Sequence, residues 1–152
     1  MDEQAGTLSA AAQTVPVPRV GVGVLLVDHH QRVLLTLRLL PPEAGCWSIV
    51  GGKLDYLESL EQCAIREARE EVGVDIAIQS LLCVTEHHLP SEHQHWISPA
   101  FLAHILHGKP FNCEPDITHE VHWFPIDDLP PNLTITARNA IEAYKRRSTS
   151  PS

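Results

Sequence analysis

Apolar runs and polar punctuation alternate along the chain, and most of its elements can be placed from that alternation. Residues 20–27 are rich in valine and leucine; His29-His30-Gln31 interrupts them, and residues 32–40 resume the apolar pattern. Two such runs around a short polar turn predict a pair of strands. Pro41-Pro42-Glu43-Ala44-Gly45 predicts a loop. Trp47-Ser48-Ile49-Val50 predicts a short strand leading into Gly51-Gly52. Residues 74–84, 96–106 and 121–124 predict further strands, whereas the polar stretch 86–95 and residues 127–131 predict loops. Ser59 with Gln62 three residues on forms a capping-box pattern, and Gly73 stands where a helix-ending glycine belongs, so a helix is predicted between them. Residues 134–147 carry an amphipathic pattern and predict a closing helix. Residues 1–16 read as a flexible N-terminal segment, 17–147 as one domain and 148–152 as a polar tail.

The helix ahead of Gly73 carries an unusual charge pattern. Glu67, Glu70 and Glu71 stand at i, i+3 and i+4, which makes them surface neighbours that repel one another. With Leu60 at zero on a helical wheel, Ala64, Ala68 and Val72 define an apolar arc from about 40° to about 120°. A solvated stripe belongs opposite, and Gln62, Arg66 and Arg69 fall there. Glu67 and Glu71 instead fall at about 340° and about 20°, on the edge of the apolar face, with Glu70 near 280°. Acids seldom sit at a buried edge without partners. A hard divalent cation is a suitable partner, because Mg²⁺ takes carboxylate oxygens and brings phosphates with it. The two glycines before the helix permit close backbone approach to a ligand.

Composition narrows the class. A chain of 152 residues, 43% hydrophobic and 20% charged, fits one soluble globular domain. A net charge of −8 argues against binding nucleic acid non-specifically, and no apolar run is long enough to span a membrane. Cys46, Cys63, Cys83 and Cys113 form no Cys-x-x-Cys pair, and the acidic start lacks a secretory pattern, so free thiols in a cytoplasmic setting are expected. Ten histidines include His87-His88 and His93-x-His95, but no tetrahedral zinc spacing accompanies them.

Gly52, Glu58, Arg66, Glu67, Ala68, Glu70, Glu71, Gly73 and Val74 fill every fixed position of a motif that resembles the signature of the Nudix hydrolases. The stretches 47–52 and 120–130 look like that family's approach to the glycines and its closing strand and loop. Val50, Asp55 and Leu57 depart from its usual proline, glutamate and glycine. The resemblance implies an α/β fold, a three-layer α/β/α sandwich around a mixed sheet. It implies Mg²⁺ or Mn²⁺ held by Glu67, Glu70, Glu71 and the Gly51 carbonyl, with Glu58 and Arg66 as a structural ion pair. Glu70 and Glu67 are candidate bases for hydrolysis, and Glu114 and Glu120 are downstream alternatives whose favoured reading is that of solvated loop acids. Arg38, His95 and Trp123 are candidate substrate contacts, each with an ordinary structural alternative. Trp47 and Trp96 stand beside them as stacking candidates, although such aromatics are more often core filler. The expected activity is cleavage of a (deoxy)nucleoside triphosphate to monophosphate and pyrophosphate, by a monomer or homodimer. The alternatives are hydrolysis of ADP-ribose or another nucleotide sugar, or silent nucleotide sensing.

Overall fold

The computed structural model describes residues 16–149. The expected flexible segment, Pro16 apart, and tail residues 150–152 therefore lie outside the described residues. Among the described residues, seven strands and two longer helices follow in the order β1 Arg19–Leu26, β2 Arg32–Arg38, β3 Trp47–Ser48, β4 Val50–Lys53, α1 Leu60–Val72, β5 Asp75–Leu89, β6 Gln94–His107, β7 Thr118–Pro125 and α2 Ile135–Thr149. A four-stranded sheet has the order β4-β1-β6-β5, and a three-stranded sheet the order β3-β2-β7. The first is mixed: β1 runs parallel to β6 and antiparallel to β4. The expected mixed sheet is thus joined by a second, antiparallel one.

Alternation along β1 creates the layers. Successive side chains on a strand point to opposite faces. Val22, Val24 and Leu26 pack with Cys63, Ala64, Ala68 and Val72 of α1. Leu25 instead packs with Ala100 and with Ala137, Ala140 and Ile141 of α2. The helices therefore cover the two faces of the larger sheet, as a three-layer α/β/α sandwich requires. Small residues at these positions let each helix lie close to the strands.

Two sequence expectations change. Residues 86–95 form no open loop: β5 and β6 stay paired through His87↔Trp96, His88↔His95 and Leu89↔Gln94, and only Pro90–Glu92 forms a short 3₁₀ turn. Polar composition suggested a loop there, but strand backbone needs only a neighbour for its hydrogen bonds, and β6 supplies one. Leu60, the reference of the apolar arc, is exposed at the first turn of α1, and its place on that face is taken by Cys63, which is fully buried.

Candidate active site

Helix α1 is delimited as its sequence dictates. The Ser59 hydroxyl accepts from the Gln62 N–H at 3.0 Å, and the Gln62 side chain accepts from the Ser59 N–H at 2.9 Å. At the other end Gly73 adopts φ +72° and donates its N–H to Arg69. A Cβ at Gly73 would meet the Phe111 ring at 2.5 Å, so only glycine both turns the chain and admits that ring.

The same helix aims its acids at the glycines of β4. Glu71 is buried, and its Oε2 accepts from the Gly51 N–H at 2.9 Å. Burial pushes its carboxyl up to about 8, against the opposing hydrogen bonds from Gly51 and Thr36. Glu67 lies directly over Gly52: a Cβ there would stand 2.3 Å from the Glu67 carboxyl carbon. Burial also raises the Glu67 carboxyl, partly offset by Arg66. The Arg66–Glu58 ion pair expected from the sequence is present in bidentate form, with Nε to Oε2 at 2.7 Å and Nη2 to Oε1 at 3.0 Å. That contact holds the Glu58 carboxyl down at about 2. Arg66 does more than expected, because its Nη1 also donates to Glu67 at 2.8 Å and to Glu70 at 3.0 Å.

Glu67, Glu70, Glu71 and Glu114 line one cavity of about 470 Å³, a size usual for small-molecule sites. Glu114 reaches it from the segment before β7, and burial together with nearby Glu70 raises its carboxyl. Of the two downstream acids only Glu114 lines this cavity, and Glu120 is exposed on β7. Arg38 does line it, but its guanidinium donates to the Pro42 and Leu40 carbonyls, so it braces the following loop. His95 and Trp123 are displaced from the expected role, since neither lines the cavity. His95 stacks edge-on against His88 with ring centroids 4.5 Å apart. Trp123 packs on the α1-side core, with Arg32 over its ring. Trp96, one of the stacking candidates, does line the cavity. Glu43 and His87 line it too; the sequence marks His87 only as one of a histidine pair, and their meeting depends on how the loop after β2 and strand β5 are brought together.

Among the described residues no three His, Cys, Asp or Glu side chains already converge as a coordination sphere. The donor chemistry nevertheless suits a hard divalent cation. Glu67, Glu70, Glu71 and Glu114 share the cavity with Glu43, burial disfavours ionisation of Glu67, Glu71 and Glu114, and one guanidinium bridges Glu67 and Glu70. The space left by the missing Cβ of Gly52 lets the Glu67 carboxylate sit against the backbone there.

The sequence profile of the NUDIX domain matches residues 17–144. A solved MutT NUDIX hydrolase from Burkholderia pseudomallei superposes with a TM-score of 0.77 at 44% identity, covering 84% of this chain and 98% of that one. The NAD-capped RNA hydrolase NudC of Pseudomonas aeruginosa is 34% identical over 128 residues, which are 82% of this chain and 43% of that protein. The 8-oxo-dGTP diphosphatase of Proteus vulgaris is 36% identical over 75 residues, 49% of this chain and 66% of that protein. The chain therefore spans less than half the length of the NudC relative it matches.

Proposed function

The chain belongs to the Nudix hydrolase family, and from that premise we propose that it hydrolyses a nucleoside diphosphate linked to another group, with a (deoxy)nucleoside triphosphate cleaved to monophosphate and pyrophosphate as the first choice. The observation that carries this reading is the gathering of Glu67, Glu70, Glu71 and Glu114 in one cavity beside Gly51 and Gly52. Glu67, Glu70 and Glu71, with the Gly51 carbonyl, would hold a divalent cation, Mg²⁺ by preference. When bound, the cation neutralises phosphate oxygens and makes phosphorus open to attack by water. Arg66 positions Glu67 and Glu70 by its shared hydrogen bonds. Lys53, also on the cavity wall, provides a cation for the phosphate chain. Glu114, which lines the same cavity from the segment before β7, would accept the proton of the attacking water, and burial with nearby Glu70 raises its carboxyl.

A phosphate-product panel across nucleoside triphosphates and nucleotide sugars, run with Mg²⁺, tests the proposal. Wild type is expected to release monophosphate and pyrophosphate from triphosphates. Glu70→Gln is expected to lose about 100-fold or more in kcat, and EDTA to abolish turnover. Activity that survives both changes would remove these acids and the metal from the reaction. The resemblance to the NudC relative favours a second reading, cleavage of a diphosphate joining a nucleotide to a larger group; the same panel separates the two by product. The intact set of acids speaks against a silent sensor, which has no need to retain them all.

A further inference from the structure

Resting on the nucleotide reading above, we propose that Glu43, held beside His87, reads the exocyclic amino group of the nucleobase at the end of the cavity opposite the acids. The two ends lie on opposite edges of the larger sheet. Gly51 and Gly52 are on β4, and His87 is on β5, with β1 and β6 between them. Three strand spacings separate these edges, roughly 14 Å. That is the kind of span an extended nucleotide covers from its phosphates to the far side of its base. Between them Gly21 and Gly23 of β1 and Ser98 of β6 line the floor, with the Ile49 side chain packed over Gly23, where a Cβ would stand 2.6 Å from it. Trp96, paired with His87 across the strands, adds an aromatic wall.

At the far end most polar groups are already engaged with one another. The Thr134 hydroxyl bonds Ser48 at 3.0 Å and accepts from the Ala137 N–H at 3.2 Å, and it lies 3.2 Å from the Thr136 hydroxyl. Glu43 differs. Its Oε2 accepts from the Ile135 N–H at 3.0 Å, which fixes the side chain on the first turn of α2. Its Oε1 stands 3.8 Å from His87 Nδ1, too far for a hydrogen bond. The two side chains are only 27% and 16% exposed, so neither regains full hydration there. A fixed, partly dehydrated carboxylate oxygen with unused acceptor capacity favours an N–H donor from a ligand. Adenine, guanine and cytosine offer an exocyclic amino group, whereas uracil and hypoxanthine present a carbonyl or a bare C–H in the corresponding place. Arg38 holds the loop that carries Glu43 through the Pro42 and Leu40 carbonyls, which keeps the oxygen in position.

The test uses nucleotide pairs that differ at a single amino group, GTP against ITP and CTP against UTP. Wild type is expected to favour the amino-bearing member of at least one pair by about ten-fold or more in kcat/KM. Glu43→Gln keeps an acceptor for the Ile135 N–H but turns an amide NH₂ toward the cavity, and it should bring that ratio to within about two-fold. Melting temperatures of the variant and wild type monitor folding. Glu43→Ala, which removes both acceptors, should collapse the same ratio. No preference in either pair, or a preference that survives in Glu43→Gln, would overturn the inference. If wild type hydrolyses none of the four, the proposed reaction has failed, and calorimetric affinities for the same nucleotides decide this point alone. A ten-fold amino preference lost in Glu43→Gln would support it, and equal affinities or no binding would overturn it.

Discussion

Two residues show how single positions carry the site and the fold separately. Gly52 gives up its side chain to the Glu67 carboxylate, which would lie 2.3 to 2.4 Å from any Cβ placed there. That carboxylate is the end of a flexible side chain, so Gly52→Ala is expected to fold with a melting temperature near wild type while pushing Glu67 aside. Its Mg²⁺ affinity, measured by calorimetry, should fall by ten-fold or more; unchanged affinity would show that Glu67 is not a ligand. Leu57 presents the opposite case. It occupies φ +65° with 86% of its surface exposed, in a turn closed by the Glu58 N–H to the Asp55 carbonyl. The left-handed region costs an L-residue roughly 1–2 kcal/mol, and glycine loses part of that gain through its freer unfolded chain. Leu57→Gly should therefore stabilise the protein by about 0.5–1 kcal/mol in urea denaturation, since almost no packing is lost. A destabilised variant would mean that Leu57 makes contacts its exposure does not suggest.

At the scale of elements, the turn after β4 and helix α1 are joined by one guanidinium. Arg66 binds Glu58 through two hydrogen bonds and reaches Glu67 and Glu70 with its third nitrogen. The Glu58 carboxyl also accepts from the Asp55 N–H at 3.1 Å. These contacts lower Glu58 from about 4.5 to about 2, so its folded form binds a proton less readily than its unfolded form. Its contribution is thus present above about pH 4.5 and is lost as pH falls toward about 2. Glu58→Gln should flatten the acid side of the stability profile over that window and leave its neutral side with the same slope. Equal acid slopes in the two proteins would dissociate Glu58 from the clamp. The clamp was expected as an ion pair from the family resemblance of the motif. Its reach to Glu67 and Glu70 was not, because that depends on the rotamer Arg66 adopts once β4 lies beside it.

For the whole molecule, enclosing acids in a cavity has an energetic consequence. Glu71 is pushed up to about 8 chiefly by burial, the reverse of Glu58. A raised folded value means that the protonated form supports the fold. In EDTA that support is complete below about pH 4.5 and disappears as pH rises through about 8. Glu67 and Glu114 are raised in the same direction, so they add to the slope. Glu71→Gln keeps an acceptor for the Gly51 N–H without the charge. In EDTA it should be more stable than wild type at pH 8 and lose less stability between pH 5.5 and 8.5, as read by chemical denaturation. Parallel profiles would show that the buried acid carries no such penalty. Added Mg²⁺ should stabilise wild type more than the variant, through binding to the folded state alone.

Local chemistry in the chain was enough to place helix α1, its two caps and the three acids on the apolar edge, whereas the Glu58–Arg66 pair came from the family resemblance. The helix, its caps and the acids depend on residues a few positions apart, where helical geometry alone sets the neighbours. Strand existence was equally readable, apart from the polar hairpin at residues 86–95, where pairing across β5 and β6 outweighed composition. The partners of the cavity followed different physics. Glu114 arrives from the approach to β7, Glu43 from the loop after β2 and His87 from β5, so their meeting required the two sheets to assemble. His95 and Trp123 had plausible chemistry but were turned elsewhere by that assembly. Spacing along a chain determines contacts within one element, whereas contacts between elements are chosen by the packing that buries both faces of β1 at once.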